Sequence, residues 1–276
     1  MYDKFKNMFL PESIDLGQSE KYILSIRIKP DRFMFSIHEP GFERNYCLRE
    51  TTFSATDNIL NNIQRTIFDL NFLTQEFKQT NVILVSRDYE LVPATYFQSK
   101  HRTTLYNLAH TKKASHLLSA LLDKQDIVTL YNTDKEVYEF LSRNLWNPQF
   151  HHHSFLMNKL LENKGNALGI TSKMYLNFHD EVMDVFCYSG AKLLHSLTFE
   201  GEPASNQLYY ILNLWDKCGF DQMKDYMYII GQPETKLVLY LQEYINNVER
   251  MNAPSEVYLW NDEAQKAPLD LLSLAL

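Results

Sequence analysis

Apolar and polar residues alternate with period two over residues 22–28, pause at Pro30-Asp31-Arg32, and resume over 33–37. They turn again at Glu39-Pro40-Gly41 and alternate once more from about residue 46 to 53. Three such runs with turn residues between them predict a three-strand meander. The period then changes. Ile59, Ile63, Ile67, Leu70 and Phe77 form one apolar stripe at helical spacing, and Ser54-x-x-Asp57 ahead of them has the form of a capping box. A helix should follow the meander. The apolar run at 82–85 predicts a strand buried on both faces, and Pro93 suits the first turn of another helix.

The same succession returns from residue 173 onward. Strand-like runs at 174–178, 182–188 and 192–199 are divided by His179-Asp180-Glu181 and by Ser189-Gly190. Pro203 opens a helix with Leu208, Ile211, Leu212 and Trp215 on one side, stopped by Gly219. A second apolar strand is expected at 226–230, and Pro233 opens a long last helix through Leu237, Leu241, Ile245 and Val248. Landmarks keep similar offsets: 149 residues from Asp31 to Asp180, 146 from Phe53 to Phe199 and 140 from Pro93 to Pro233. Residue identity between the halves is slight, so the repeat lies in the pattern. It implies an internal duplication.

The halves differ in one place. Pro93 lies 57 residues before a strand candidate at 150–154, whereas Pro233 lies 24 before a candidate at 257–260. The first half therefore carries an insertion, with an apolar segment at 116–122, a strand at 126–131 and a helix running from Thr133-x-x-Glu136 to Trp146. We expect a loose arm over 1–20, a first subdomain over 21–165 with its insertion at about 111–147, a second subdomain over 170–262, and a leucine-rich tail over 263–276.

A meander that leads through a helix into a buried parallel strand is the ribonuclease-H-like unit. Two in tandem, over about residues 20–262, resemble the actin-like ATPase fold shared by actin, Hsp70-type chaperones and sugar kinases. The arrangement also resembles an uncharacterised bacterial family of that fold. The resemblance implies an α/β protein with mixed sheets and two ribonuclease-H-like subdomains, the first with an inserted strand-helix segment. It brings no known activity.

Glycine content changes the functional picture. Only eight glycines occur, where average usage of about 7% would supply roughly twenty. Phosphate loops need glycine for tight turns and close backbone approach. No G-x-G-x-x-G or G-x-x-x-x-G-K-[ST] is present; the nearest pair, Gly165 and Gly169, lacks the following Lys-Ser or Lys-Thr. Working members of the resembled fold carry an acid, a glycine and a hydroxyl in the first hairpin turn of each half. Here the first turn, residues 30–34, keeps Asp31 but has no glycine or hydroxyl, and its proline lacks an N–H. The second, His179-Asp180-Glu181-Val182, would offer two adjacent carboxylates to a polyanion. Where a nucleoside-binding glycine cluster should follow the 226–230 strand, only Gly231 stands. The weak candidates for a binding site are thus Asp31, His179, Asp180 and Gly231, with no catalytic residue among them.

Other chemistries find less. A two-metal nuclease needs several converging carboxylates, and the strand YILSIRI has none; Asp31 and Asp88 alone do not make a site. His151 and His153 would share one face of a strand and His152 the other, too few zinc ligands. No G-x-S-x-G marks an esterase. The net charge of −7, with the densest basic stretch at Lys100, Arg102, Lys112 and Lys113, excludes nucleic acid as the main partner. Cys47, Cys187 and Cys218 are far apart in sequence and read as free thiols in a reducing compartment. Seventeen Tyr and seventeen Phe fit core positions or a partner groove. With no signal-peptide core and no long apolar window, we expect a cytoplasmic protein that meets no membrane.

The last ten residues, 267–276, hold Leu269, Leu271, Leu272, Leu274 and Leu276 and one charged side chain, Asp270. They can pack on their own domain, dock on a partner, or fray. Together these readings lead us to expect a non-catalytic interaction or scaffolding protein with degraded phosphate loops, no cofactor, no metal and a protein partner. The alternative is a nucleotide- or metabolite-binding, kinase-like enzyme using the interdomain cleft.

Overall fold

The computed structural model describes residues 9–164, 171–179 and 181–276. The chain divides into two compact units, one formed by residues 1–121, 127–157 and 253–276, the other by 122–126 and 158–252.

In the first unit the alternating runs become β1 (Ile23–Ile28), β2 (Arg32–Glu39) and β3 (Phe42–Thr52), paired antiparallel in sequence order. α1 (Ile59–Asp69) crosses back so that β4 (Gln79–Leu84) lies parallel to β1. Its start is set by Asn58, whose side chain accepts from the Asn61 N–H at 2.7 Å, and not by the Ser54–Asp57 box. Buried Asn62 closes the entry instead, donating to the carbonyls of Ser54, Asp57 and Asn58. Phe77 lies beyond the helix, in the core just before β4.

β5 (Tyr89–Pro93) corrects the expectation of a helix at Pro93. Its residues pair antiparallel with residues 127–131, and proline is tolerated as the last residue of an edge strand. Pro93 caps only a short 3-10 turn, Ala94–Tyr96, and the first α-helix after it is α2 (Arg102–Ala109). β6 (His116–Leu122) and β7 (Ile127–Thr133) complete a three-stranded sheet ordered β5-β7-β6. α3 (Lys135–Asn144), capped by Asp134, packs against α1. β8 (Pro148–His152) then joins β4 in parallel, giving the five-stranded order β3-β2-β1-β4-β8. The strand expected to reach residue 154 stops at His152, because His153 already begins α4 (His153–Lys164).

The second unit contains β9 (Ser172–His179), β10 (Val182–Ser189) and β11 (Lys192–Glu200), followed by α5 (Ala204–Lys217) and β12 (Tyr226–Gly231). Pro233 precedes α6 (Thr235–Tyr244), whose N-cap is Glu234, and so lies outside the helix it was expected to open. That helix is shorter than its apolar stripe predicts. The stripe continues into β13 (Asn247–Arg250), which extends the sheet to β11-β10-β9-β12-β13. The strand expected at 257–260 is not formed; a 3-10 turn over Ser255–Leu259 takes its place. Two short helices, α7 (Asp262–Gln265) and α8 (Leu269–Leu272), end the chain within the first unit.

Each five-stranded sheet buries one face under helices. In the first unit Leu24, Ile26, Phe35, Val82, Ile63, Ile67 and Leu141 share one core; in the second, Met174, Leu176, Val185, Ile211, Trp215, Met227 and Leu241 share another. The opposite face of the first sheet is polar. Ser25 and Arg27 of β1 and Ser36 and His38 of β2 point there, and all are buried. Within the tail, Leu269, Leu271 and Leu272 are buried, and Asp270 meets the Arg27 Nε at 2.7 Å. The tail packs on its own unit. Among the described residues no helix is long and apolar enough to cross a membrane.

Candidate functional site

The sites to test are the first hairpin turn of each meander and the end of the strand that follows it. In the first unit the turn runs from Lys29 to Asp31. Within it the Lys29 N–H donates to the Arg32 carbonyl at 3.0 Å, Pro30 has no N–H, and the Asp31 carbonyl accepts from the Phe53 N–H at 2.7 Å. The Asp31 carboxylate, half exposed, lies 3.6 Å from the Lys29 ammonium and 3.2 Å from the Arg32 guanidinium. A turn that binds phosphate presents convergent N–H groups and a hydroxyl. This one presents a carboxylate held by two cations.

In the second unit the turn carries His179 and Glu181; Asp180 lies outside the described residues. The Glu181 carbonyl accepts from the Gly201 N–H at 2.9 Å. This repeats the Phe53–Asp31 bond, so the hydrogen-bond pattern equates Asp31 with Glu181 and Phe53 with Gly201. Phe199 is the last but one residue of β11, whereas Phe53 lies past the end of β3. The two phenylalanines therefore hold different positions, although their offset suggested otherwise. His179 does not face a ligand-ready turn. Its Nε2 lies 2.7 Å from the carboxylate of Asp184 on β10.

Asp184 is the residue that sequence reasoning passed over. It is fully buried, and its carboxylate accepts from Asn177 Nδ2 at 3.0 Å and Thr198 Oγ1 at 2.7 Å, besides the His179 ring. The signal was available, since an aspartate inside the strand VMDVFCYS breaks an otherwise apolar run and demands partners. Two partners from β9, Asn177 and His179, and one from β11, Thr198, supply them. The arrangement stitches the meander together.

Gly231 has an equally structural reason. It ends β12 beside Phe178 of β9, with φ of +78°, and a Cβ placed there would fall 2.1 Å from the Phe178 carbonyl oxygen. The close approach of two strand backbones requires glycine at this point, with no nucleoside needed to explain it. In the histidine tract, His151 Nε2 reaches Asn81 Oδ1 at 3.3 Å, while His152 Nδ1 pairs with Ser154 Oγ at 2.8 Å and its ring packs on Tyr89 and Tyr131. Nucleotide phosphates, which the fold implies, do not fit the residues of these turns: neither 29–31 nor 179–181 contains a glycine or a hydroxyl, and both carry carboxylates.

Two five-stranded mixed sheets, each with an antiparallel meander continued by parallel strands, define the ribonuclease-H-like units of the actin-like ATPase fold. Over residues 11–248 the chain matches the family described as "Protein of unknown function (DUF3822)", and it belongs to that family. Its structure is similar to that of a Bacteroides thetaiotaomicron protein with actin-like ATPase fold and unknown function. The two share 25% identity and a TM-score of 0.81 over 95% of this chain and 98% of the other. It is also similar in fold to a chain of the PilM–PilN type IV pilus biogenesis complex, at 12% identity and a TM-score of 0.57 over 92% and 97% of the two chains. No curated protein matches the chain in sequence.

Proposed function

We propose that this protein is a non-catalytic interaction or scaffolding member of the actin-like ATPase fold, an internally duplicated cytoplasmic protein that works through a protein partner. The observation that carries this reading is the first turn of the first unit. There the retained acid, Asp31, is neutralised by Lys29 and Arg32, and the turn's backbone bonds close on the protein itself. Function resides in sites and not in folds. A scaffold that has kept its sheets and filled its phosphate turns keeps shape, not turnover. The occurrence of the same fold in a chain of the PilM–PilN complex supports a role in protein assembly. So do Tyr240 and Tyr244, exposed on α6, since aromatic side chains are enriched at protein interfaces.

The test is ADP formation by the full chain with ATP and magnesium. No ADP above the protein-free background is expected. Steady ADP formation, lost in Asp31→Asn, would overturn the proposal in favour of a kinase-like enzyme.

A further inference from the structure

The closing segment of the chain, residues 260–272, meets the first sheet as a bound peptide would. β3 stands at the end of the strand order, so one side of its backbone is an edge. Side chains of the segment take the groups that this edge presents. Asn261 Nδ2 donates to the carbonyls of Tyr46 at 2.5 Å and Arg44 at 3.1 Å, and the Leu48 N–H donates to Glu263 Oε2 at 2.8 Å. Arg49 Nη1 reaches both oxygens of that carboxylate, at 2.8 and 2.9 Å. The Trp260 ring lies 5.8 Å from the ring of Tyr46. Seven residues after Glu263, Asp270 meets Arg27 of β1 at 2.7 Å, flanked in sequence by the buried Leu269, Leu271 and Leu272.

The match is one of charge and pattern. The sheet supplies two arginines and two edge carbonyls; the segment supplies two carboxylates, one amide and three leucines. Opposite charges at both ends of the span fix its direction and register. None of these contacts requires that segment and sheet belong to one molecule. The chain reaches them through residues 251–254, Met-Asn-Ala-Pro, after β13 has ended. Short hinge loops of this kind invite exchange of the element that follows them. Just ahead of the first contact, Tyr258 and Leu259 stand exposed, Leu259 at 77%, and Phe42 at the start of β3 is exposed at 63%.

We propose that the β3 edge and the polar face of the first sheet are a binding surface for an acidic, leucine-bearing segment, and that its partner is the closing segment of a second copy, exchanged reciprocally to give a two-fold dimer. Glu263 and Asp270 of each copy sit on Arg49 and Arg27 of the other, so every contact of the closed monomer is kept. The two links run past each other, and Tyr258 and Leu259 gain a surface to meet. Within one copy the tethered segment acts at an effective concentration of about a millimolar and guards the surface until copies are gathered to that level. This partner deepens the reading of the protein as an interaction protein and rests on it; ADP formation bears on that reading, and mixing of charge-reversed chains bears on exchange alone.

The test uses two full-length variants, Arg49→Glu and Glu263→Arg. Each alone sets like charges against one another, and each should sediment as a monomer that melts below the wild-type chain. Mixed in equal amounts, the two restore opposite charges only across molecules. The mixture should give a dimer holding one chain of each kind in native mass spectrometry, with a melting temperature near that of the wild type. Arg49→Glu/Glu263→Arg in a single chain should recover that temperature without a partner. A mixture that stays monomeric with two separate transitions would overturn the proposal, and so would a dimer formed by either variant alone, which places the interface elsewhere. A second measurement needs no charge reversal. Isotopically light and heavy full chains carrying photo-reactive leucine, concentrated together to about a millimolar, should yield light–heavy cross-links from residues 269–276 of one chain to β1–β3 of the other. Cross-links confined to single chains at every concentration would contradict exchange.

Discussion

The two units bury a charge beneath the same strand order and satisfy it in opposite ways. In the second, Asp184 is closed by Asn177, His179 and Thr198, all within 14 residues of it in the meander. In the first, Arg27 is closed by Asp270, which is 243 residues away. Asn177, His179 and Thr198 come from the second meander's own strands. The first is incomplete until the end of the chain arrives to cover its polar face. One sheet topology thus admits both a local and a remote solution, and the remote one makes the leucine-rich tail part of the first unit's core.

Removing that remote partner is the harshest way to break the comparison. Leaving a buried charge unpaired costs about 3–5 kcal/mol, and Asp270→Ala should lose stability on that scale in urea unfolding. Deleting residues 267–276 should cost more, because three buried leucines leave with it. Hydrogen exchange should rise in β1 and β2 while β9 and β10 stay protected. Equal loss of protection in both meanders would contradict the remote dependence. The double substitution Arg27→Met/Asp270→Leu should recover most of the loss, since replacing both partners removes the unpaired charge.

Glycines sharpen the comparison at a smaller scale. Gly231 in the second unit and Gly41 in the first both have φ near +80°, but a Cβ at Gly41 meets nothing within 4 Å. Gly41→Ala should therefore cost only the backbone term, about 1–2 kcal/mol. Gly231→Ala adds the clash with the Phe178 carbonyl and should cost about 3 kcal/mol or more in the same unfolding assay. Equal costs would mean that β9 and β12 can separate freely.

Acid acts on the first unit through His38. Burial, aided by the Lys78 charge, lowers its pKa from 6.5 to about 4, so the folded state holds it neutral while the unfolded chain takes up a proton. Its contribution is complete above pH 6.5 and is lost as pH falls toward 4. By pH 5 the loss should be on the order of 2 kcal/mol, and His38→Gln should flatten the decline in melting temperature between pH 7 and 5. An unchanged slope would remove His38 from the account.

Much of this architecture was legible in the residues. Period-two alternation marked both meanders, because successive strand side chains point to opposite faces and only one face of each sheet carries the continuous apolar core. Boundaries set by single side chains were less visible. Asn62 replaced the expected capping box at α1, and Pro93, read as a helix start, proved to be the last residue of an edge strand. Long-range pairings were invisible in principle, since Arg27–Asp270 leaves no spacing signature. Among the candidate site residues, Asp31 could be read as a degraded turn from its lost glycine and hydroxyl. Gly231 could not be understood before β9 was placed against it. Asp184 announced itself only as a charge in an apolar strand.

The claim that the phosphate turns have become structural is tested most directly by nucleotide binding. Thermal unfolding of the full chain should be followed with millimolar ATP or ADP and magnesium, beside a magnesium-only control. A ligand at a hundred times its dissociation constant stabilises by about 2.7 kcal/mol, a shift easily seen in a melting curve. The account predicts coincident curves with and without nucleotide. A saturable rise in melting temperature that depends on Asp31 would contradict it.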